Sequence, residues 1–176
     1  SSLIPILSKD TVADYLGFDL SEAALAIAGN NLSFLETKAR WRQGDLEQLT
    51  LEEEFRFDVV YSSYAIHHLQ DAAKEKLYAK ILDCLKPGGV FIYVDCYQQP
   101  NSSPVDYRTV YCGWIDQTWE ALTLDERQDI KNHISVYDYP AAQAWMEETL
   151  SQLGFVTLAS DFKDFRHFFT CLQKPN

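Results

Sequence analysis

Two adjacent histidines, His67 and His68, are the most evident candidates for acid–base chemistry in this sequence. They follow a β-rich apolar run at 57–62 by a few residues. The unperturbed pKa of histidine lies near neutrality, so either imidazole could take a proton from a hydroxyl or thiol. Either could equally donate a hydrogen bond to a loop carbonyl and fix a turn. Both roles stay open for each residue, whereas His133 and His167 are interpreted as surface or packing residues.

Two carboxylates stand at the ends of possible strands and could bind a nucleoside. Asp19 ends the segment 13–19, and Asp45 follows Gly44 after a weaker β-type segment. A carboxylate at the end of a parallel strand can accept hydrogen bonds from both ribose hydroxyls, and one nearby can accept from an amine such as adenine N6. Asp19 could instead help to cap the helix that Ser21 begins, and Gly-Asp is a common turn. Each carboxylate taken alone leaves both roles open.

The elements that must position these residues alternate between β-type and helical patterns. This alternation predicts an α/β fold with a mostly parallel sheet covered by helices on both faces. The continuous apolar run at 57–62 is typical of a strand buried on both faces. The predicted strands lie at 13–19, 39–43, 57–62, 90–94, 155–159 and 168–172. The predicted helices include the remainder of one at 3–7, one after Ser21, one over 77–85 that Lys86-Pro87-Gly88-Gly89 ends, and one from Pro140 to Gly154.

The segment at about 97–139 breaks this alternation and is interpreted as a helical insertion. Two helix starts are indicated, one at Ser103 and one at Thr123, each with an acidic residue three positions later. Tyr107, Tyr111 and Trp114 fall on one face of the first helix. They could form the apolar wall of a substrate cover, and their spacing is equally that of a core-facing stripe.

Composition narrows the classes of partner. The formal net charge of −11, without a basic run, argues against a nucleic-acid partner and favours a small molecule. The four cysteines lack zinc-type spacing, so no metal site is expected and the thiols are expected to be reduced. No apolar stretch approaches the roughly 18 residues of a membrane span. We therefore expect a cytoplasmic protein without a membrane partner.

Three segments together resemble the small-molecule class I S-adenosylmethionine-dependent methyltransferases. They are 15–21 (YLGFDLS), 57–69 (FDVVYSSYAIHHL) and 85–92 (LKPGGVFI). In that family a buried strand ends in small residues and His-His-Leu, and a helix ending in Lys-Pro-Gly-Gly leads into the next strand. The order and spacing match from about residue 3 to residue 96. Beyond that point the resemblance is one of architecture.

The resemblance implies a single domain over 1–176 with a Rossmann-like, doubly wound sheet of seven strands, the last antiparallel. It also implies S-adenosylmethionine as cofactor. By position, Asp19 would hold the ribose and Leu20 would pack on adenine, while Asp45 would accept from the adenine amine and Leu46 would donate its amide to the ring. The methionine end would lie beside Ser62, Ser63 and Tyr64.

The family's first strand and glycine-rich loop have no counterpart in this sequence. In the family both precede the helix predicted at 3–7, and the loop wraps the methionine portion of the cofactor. We therefore expect about 40 further residues upstream, the usual length of a strand with a leading helix. A chain starting at Ser1 is expected to bind the cofactor poorly.

The function that follows is methyl transfer to a small-molecule acceptor by in-line displacement. Two alternatives belong to other classes. One is a protein of the same fold that binds S-adenosylmethionine or a partner without catalysis. The other is an NAD-dependent oxidoreductase, which also places an acidic residue at the position of Asp19 but is disfavoured by the His-His-Leu and Lys-Pro-Gly-Gly pair.

Overall fold

The computed structural model describes residues 12–51, 56–98, 102–162 and 166–176. The chain divides into two compact units, residues 1–50 and residues 51–176. Each unit has its own sheet and is described by itself. The helix expected at 3–7 lies outside the described residues.

The first unit is a parallel strand–helix–strand arrangement. Strand β1 (Tyr15–Asp19) pairs in parallel with β2 (Ala39–Gln43), and helix α1 (Glu22–Asn31) connects them through a 3₁₀ segment (Ser33–Lys38). The hydroxyl of Ser21 accepts the N–H of Ala24 at 3.2 Å and caps α1. Both predicted strands and the predicted helix start are confirmed.

The second unit contains a mixed sheet in the order β3-β4-β7-β6. Strand β3 (Phe57–Ser63) is parallel to β4 (Leu85–Gln98), and β7 (His167–Gln173) is antiparallel to both β4 and β6 (Val156–Phe162). A two-residue strand, β5 (Ala141–Ala142), also pairs with β4. The α/β class and the antiparallel last strand are therefore confirmed.

Strand β3 differs from its prediction in burial. The continuous apolar run indicates a strand with both faces covered, yet the Val59 side chain is exposed and Val60 is only half-buried. Apolar composition alone does not fix which face of a strand is covered, because coverage depends on the elements that pack against it. The prediction of burial on both faces is wrong for the described residues.

Helix α2 (Asp71–Cys84) packs through one buried stripe, and β4 follows it without an intervening loop. The Lys-Pro-Gly-Gly segment therefore forms the irregular start of β4, where the register with β3 shifts. A Cβ atom on Gly89 would lie 3.1 Å from the Phe57 carbonyl oxygen. The close approach of these two backbones explains why glycine occupies this position. The buried residues of α2 are Lys74, Leu77, Tyr78, Ile81 and Cys84.

The insertion consists of two helices, α3 (Pro104–Thr118) and α4 (Leu124–Tyr137). Each begins with a capping box, Ser103 with Asp106 and Thr123 with Glu126, as the sequence predicts. The helices share a small buried cluster with the end of β4. The cluster consists of Cys96, Tyr107, Tyr111, Ile115 and Ile134.

No helix among the described residues combines the length and apolar character that a membrane crossing requires.

Helix α5 (Gln143–Leu153) begins three residues after Pro140, because the intervening residues pair with β4 as β5. It ends at Gly154, whose φ of 106° lies in the left-handed region. A side chain in that conformation clashes with its own backbone, so glycine is the residue that suits this helix end.

Replacing Gly154 with Ala is expected to lower the free energy of unfolding by about 1 to 2 kcal/mol, because alanine is strained at positive φ. Gly113→Ala is the matched control. Gly113 lies inside α3 with open space around its Cβ position, so this change should leave stability equal or raise it by up to about 1 kcal/mol. Urea unfolding followed by circular dichroism measures both. Equal effects of the two substitutions would contradict the assignment at Gly154.

Candidate functional site

A buried carboxylate in β4, that of Asp95, organises the loop after β3. Its Oδ2 accepts the backbone N–H groups of Ile66 at 2.9 Å and His67 at 3.1 Å. Its Oδ1 accepts the Cys96 N–H at 2.8 Å and the Nδ1–H of His67 at 2.5 Å. Four donors thus satisfy one fully buried acid and fix the histidine loop against β4.

His67 is held on its other side by the segment that follows α4. Its carbonyl accepts the Tyr139 N–H at 2.7 Å, and its Nε2 lies 3.6 Å from Oδ1 of the buried Asp138. Burial acts to lower the pKa of His67, but the hydrogen bond and charge of Asp95, helped by the charge of Asp138, raise it overall. The imidazole of His67 therefore lies between the carboxylates of Asp95 and Asp138.

His68 lies beside the same acid but is more open, with 39% of its side chain exposed. Its Nδ1 is 3.3 Å from the Tyr137 carbonyl oxygen and 3.5 Å from Asp138 Oδ1. Burial and the neighbouring His67 lower the pKa of His68. The two predicted histidines are thus brought together around Asp138, and the His133 ring lies 5.3 Å from that of His68.

A buried lysine, Lys74, closes this region from the side of α2. Its Nζ donates to the carbonyls of Leu69 and Tyr139, each at 2.5 Å, and to the carboxylate of Asp71 at 3.1 Å. Burial lowers the pKa of this ammonium group. The lysine therefore joins the histidine loop, α2 and the segment after α4 through one side chain.

The end of β3 carries a strained residue. Tyr64 has a φ of 52°, which is unusual for a residue with a Cβ atom, and its N–H donates to the Val94 carbonyl at 2.9 Å. Its ring meets the His167 ring edge-on at 5.4 Å. Ser62 and Ser63 precede it as the last residues of β3. Backbone strain of this kind is concentrated at functional sites.

The predicted aromatic residues of the insertion have mixed surroundings. Tyr107 and Tyr111 belong to the buried cluster, and the Tyr111 hydroxyl lies 3.2 Å from Nε2 of the buried His167. Trp114 is half-buried, with the Arg166 guanidinium 3.7 Å from its ring centre. A small cavity of about 40 Å³ lies beside them. Its lining consists of Tyr97, Ser102, Asp106, Tyr107, Val110, Tyr111 and Arg166.

In the first unit, the two predicted carboxylates stand at the carboxyl ends of the paired strands β1 and β2. The Asp19 carbonyl accepts the Gly44 N–H at 3.0 Å, which brings the ends of the two strands together. Oδ1 of Asp19 accepts the Ser21 N–H at 2.8 Å, and Oδ1 of Asp45 accepts the Glu47 N–H at 2.9 Å. Each acid therefore has the capping or turn role that the sequence left open.

The two leucines that follow these acids differ in exposure. Leu20 has 69% of its surface exposed. Leu46 is half-buried and begins a short 3₁₀ segment (Leu46–Gln48). The exposed leucine offers an apolar surface next to a carboxylate.

Sequence reasoning missed four residues of the second unit: Asp95, Asp138, Lys74 and His167. Asp95 had a usable signal, because it follows directly after the apolar run at 90–94 and is therefore an acid at the end of a buried strand. The other three stand in locally unremarkable contexts. Their burial depends on contacts between segments far apart in the chain.

The sheet order, the parallel β3–β4 pair and the antiparallel β7 define an α/β protein with the Rossmann-like fold of class I methyltransferases. Residues 2–89, half of the chain, match the methyltransferase domain family. The protein belongs to this family, whose members of class I depend on S-adenosylmethionine.

Two relatives agree with this assignment. An uncharacterised methyltransferase of Synechocystis sp. is 34% identical over 115 residues, which cover 64% of this chain and 52% of the relative. A ubiquinone biosynthesis O-methyltransferase of Alkalilimnicola ehrlichii is 32% identical over 90 residues, which cover 51% of this chain and 36% of the relative. The chain thus spans about half the length of the first relative.

Solved structures support the fold. A crystal structure of an S-adenosylmethionine-dependent methyltransferase from Mesorhizobium loti has a TM-score of 0.64 and 19% identity, covering 92% of this chain and 80% of the other. At this identity the likeness concerns the fold alone.

Replacing Asp95 with Ala is expected to lower the free energy of unfolding by about 3 to 5 kcal/mol, because the buried partners of the carboxylate lose their acceptor. Asp58→Ala is the matched control, since Asp58 forms a salt bridge with Lys86 at 2.7 Å in which both side chains are well exposed. Its effect should be much smaller, because solvent screens exposed pairs. Urea unfolding compares the two. A small effect at Asp95 would contradict its organising role.

Proposed function

We propose that this protein binds S-adenosylmethionine and transfers its methyl group to a small-molecule acceptor by in-line displacement. The observation that carries the proposal is the pair of carboxylates, Asp19 and Asp45, at the carboxyl ends of adjacent parallel strands in a chain of the methyltransferase domain family. Open α/β sheets bind ligands at this edge.

The adenosine end of the cofactor is assigned to the first unit. Asp19 would accept hydrogen bonds from the ribose hydroxyls, and the exposed Leu20 would pack on the adenine ring. The contact to Ser21 uses Oδ1 of Asp19, which leaves Oδ2 for a ligand. The fit supports the assignment, because a nucleoside offers two hydroxyl donors beside an apolar ring.

Asp45 and Leu46 would complete the adenine contacts. Oδ1 of Asp45 is used by the Glu47 N–H, so the second oxygen could accept from the adenine amine, while the Leu46 amide would donate to the ring. Both residues follow Gly44, the residue after β2, and the last residue of β2, Gln43, pairs with Asp19.

The methionine end is assigned to Ser62, Ser63 and Tyr64 in the second unit. The positive φ of Tyr64 supports this role, because backbone strain is concentrated at functional sites and this residue directly follows the two serines. When bound, the cofactor supplies an activated methyl group on its sulfonium. The protein's part is to orient the acceptor behind that group and to exclude water.

The acceptor side is assigned to the insertion, with Trp114, Tyr107 and Tyr111 as its apolar wall. The tyrosines contribute mainly by packing, since both are buried in the cluster that the insertion shares with β4. Trp114 is the more accessible of the three, and the Arg166 guanidinium over its ring fixes its orientation.

Either histidine could serve as general base if the acceptor is a hydroxyl or thiol. The contacts favour different tasks for the two. His67 is buried and fixed by Asp95, which suits positioning, whereas His68 has exposed surface and a lowered pKa, which suits proton acceptance.

The acidic composition supports a small molecule over a nucleic acid as the acceptor. We place the reaction in the cytoplasm. The name of the second relative, a ubiquinone biosynthesis O-methyltransferase, is compatible with transfer to an oxygen atom.

Cofactor binding tests the proposal first. Asp19→Asn retains Oδ1 as the acceptor for Ser21 but loses the charge, so the S-adenosylmethionine dissociation constant should rise about tenfold or more. Isothermal titration calorimetry on the full-length protein measures it. Asp14→Asn is the matched control, because Asp14 is exposed and pairs with Arg40, and it should bind like the wild type. Absence of binding by the wild type at millimolar cofactor would defeat the proposal.

Turnover is tested with S-adenosylmethionine carrying a tritiated methyl group and a protein-free, low-molecular-weight cell extract. The wild type should label a small-molecule fraction, and Trp114→Ala should lower the initial rate about tenfold without changing cofactor affinity. Trp145→Ala, in α5 outside the insertion, is the control and should retain the rate. An unchanged rate for Trp114→Ala would contradict the cover. Cofactor binding without any labelled product would favour the non-catalytic alternative.

A further inference from the structure

His67, His68 and Asp138 bring three potential metal-ligating atoms close together in the second unit. These atoms lie within 4.8 Å of one another. No metal site is predicted from the sequence, because its cysteines lack zinc-type spacing and Asp138 lies far along the chain from the two histidines. We propose that His67, His68 and Asp138 form a binding site for a divalent cation of the zinc type. This inference goes beyond the proposed methyl transfer and does not depend on it.

The distances suit a shared ligand better than direct hydrogen bonds. Oδ1 of Asp138 is 3.6 Å from His67 Nε2 and 3.5 Å from His68 Nδ1. Both separations exceed the usual 2.7–3.2 Å of an N–H···O bond. Two ligands of a tetrahedral zinc ion, each about 2.0–2.1 Å from the metal, stand roughly 3.4 Å apart. The two acid–imidazole separations are therefore within a few tenths of an ångström of that spacing, and the two histidine ligand atoms lie within 4.8 Å of each other.

Asp138 supplies the strongest indication that a group is bound here. Its residue exposure is 4%, and its Oδ1 has no hydrogen-bond partner among the described residues. Leaving a buried carboxylate oxygen unsatisfied is costly, and buried charges are ordinarily paired or coordinate metals. A cation between this oxygen and the two imidazoles would remove that cost.

Asp95 prepares His67 for this role from behind. Because the Nδ1–H of His67 donates to Asp95 at 2.5 Å, a neutral His67 carries its lone pair on Nε2, on the side of Asp138. Carboxylates hold metal-binding histidines in this way in many proteins. In this tautomer Nε2 and Asp138 Oδ1 are both acceptors, so a cation or a proton must lie between them.

His68 determines how a metal could enter. Its partial exposure gives solvent access, and its Nδ1 would exchange the 3.3 Å contact with the Tyr137 carbonyl for a metal bond. Two imidazoles and one carboxylate leave a fourth position for water or another ligand, as in open zinc sites. Nitrogen ligands favour zinc, cobalt or nickel over magnesium and calcium, which prefer oxygen.

The surrounding charges favour a cation. Three carboxylates, those of Asp71, Asp95 and Asp138, belong to this region, and Lys74 is the ammonium that interacts with His67. Lys74 is already engaged by Asp71 and two carbonyl oxygens. With neutral imidazoles, the region keeps excess negative charge that a divalent ion would offset.

The test titrates the full-length, metal-free protein, without S-adenosylmethionine, with Zn²⁺ by calorimetry and with Co²⁺ by absorption spectroscopy. The wild type should bind one equivalent of Zn²⁺ with a dissociation constant of about 1 µM or lower. His68→Ala and Asp138→Asn should each weaken binding about tenfold or more. Asp116→Asn, an exposed acid paired with Lys131, is the control and should bind like the wild type. Circular dichroism verifies folding of each variant.

Several outcomes would overturn the inference. One is the absence of stoichiometric binding by the wild type, which would mean that a proton and not a metal ion lies between Asp138 and His67. Another is one-to-one binding that is not weakened by His68→Ala. This substitution is expected to be tolerated better than Asp138→Asn, because His68 is the more exposed of the two residues. A third is a cobalt–thiolate charge-transfer band, which would assign the ion to the alternative group His67, Asp95 and Cys96. None of these outcomes bears on cofactor binding, which the Asp19 variant tests separately.

Discussion

The carboxylate of Asp95 is buried at the carboxyl-terminal part of β4, and burial obliges it to find donors. Four N–H groups satisfy it, three of them from the loop that follows β3. These hydrogen bonds hold that loop against β4 and orient the imidazole of His67. The carbonyl of His67 accepts a hydrogen bond from the Tyr139 N–H, so the segment after the insertion is attached to the same loop.

The two buried acids of this region, Asp95 and Asp138, differ in the lengths of their contacts to neighbouring nitrogen atoms. The contacts of Asp95 are 2.5–3.1 Å long, whereas Asp138 stands 3.5 and 3.6 Å from the nearest imidazole nitrogens. The first acid completes a structural network. The second has an oxygen that accepts no hydrogen bond from the part of the chain that the structure describes, and burial raises the pKa of its carboxyl group. Structural and ligand-binding roles thus lie within a few ångströms of each other.

The insertion illustrates how packing and binding compete for the same side chains. Tyr107, Tyr111 and Trp114 share one helix face, and a helix face must be covered by something. The end of β4 and α4 cover the two tyrosines, with Cys96 and Ile134 among their neighbours. Trp114 stays half-buried under the guanidinium of Arg166. The same spacing has therefore produced core residues at one end of the stripe and an accessible aromatic ring at the other.

The sequence by itself determined the local elements and the family. Strand patterns, the Ser21 cap, the two capping boxes and the glycine that ends α5 depend on residues a few positions apart, so the order of residues is enough to predict them. The His-His-Leu and Lys-Pro-Gly-Gly segments likewise carried the resemblance to methyltransferases. Tertiary structure alone decided that Asp95, Asp138 and Lys74 are buried around His67, because these residues come from separate elements that meet only when β4, α2 and the segment after α4 pack together. It also decided that Val59 is exposed despite its apolar run. Burial is a property of neighbours in space, and the chemistry of a charged side chain depends on burial more than on the residues beside it in the chain.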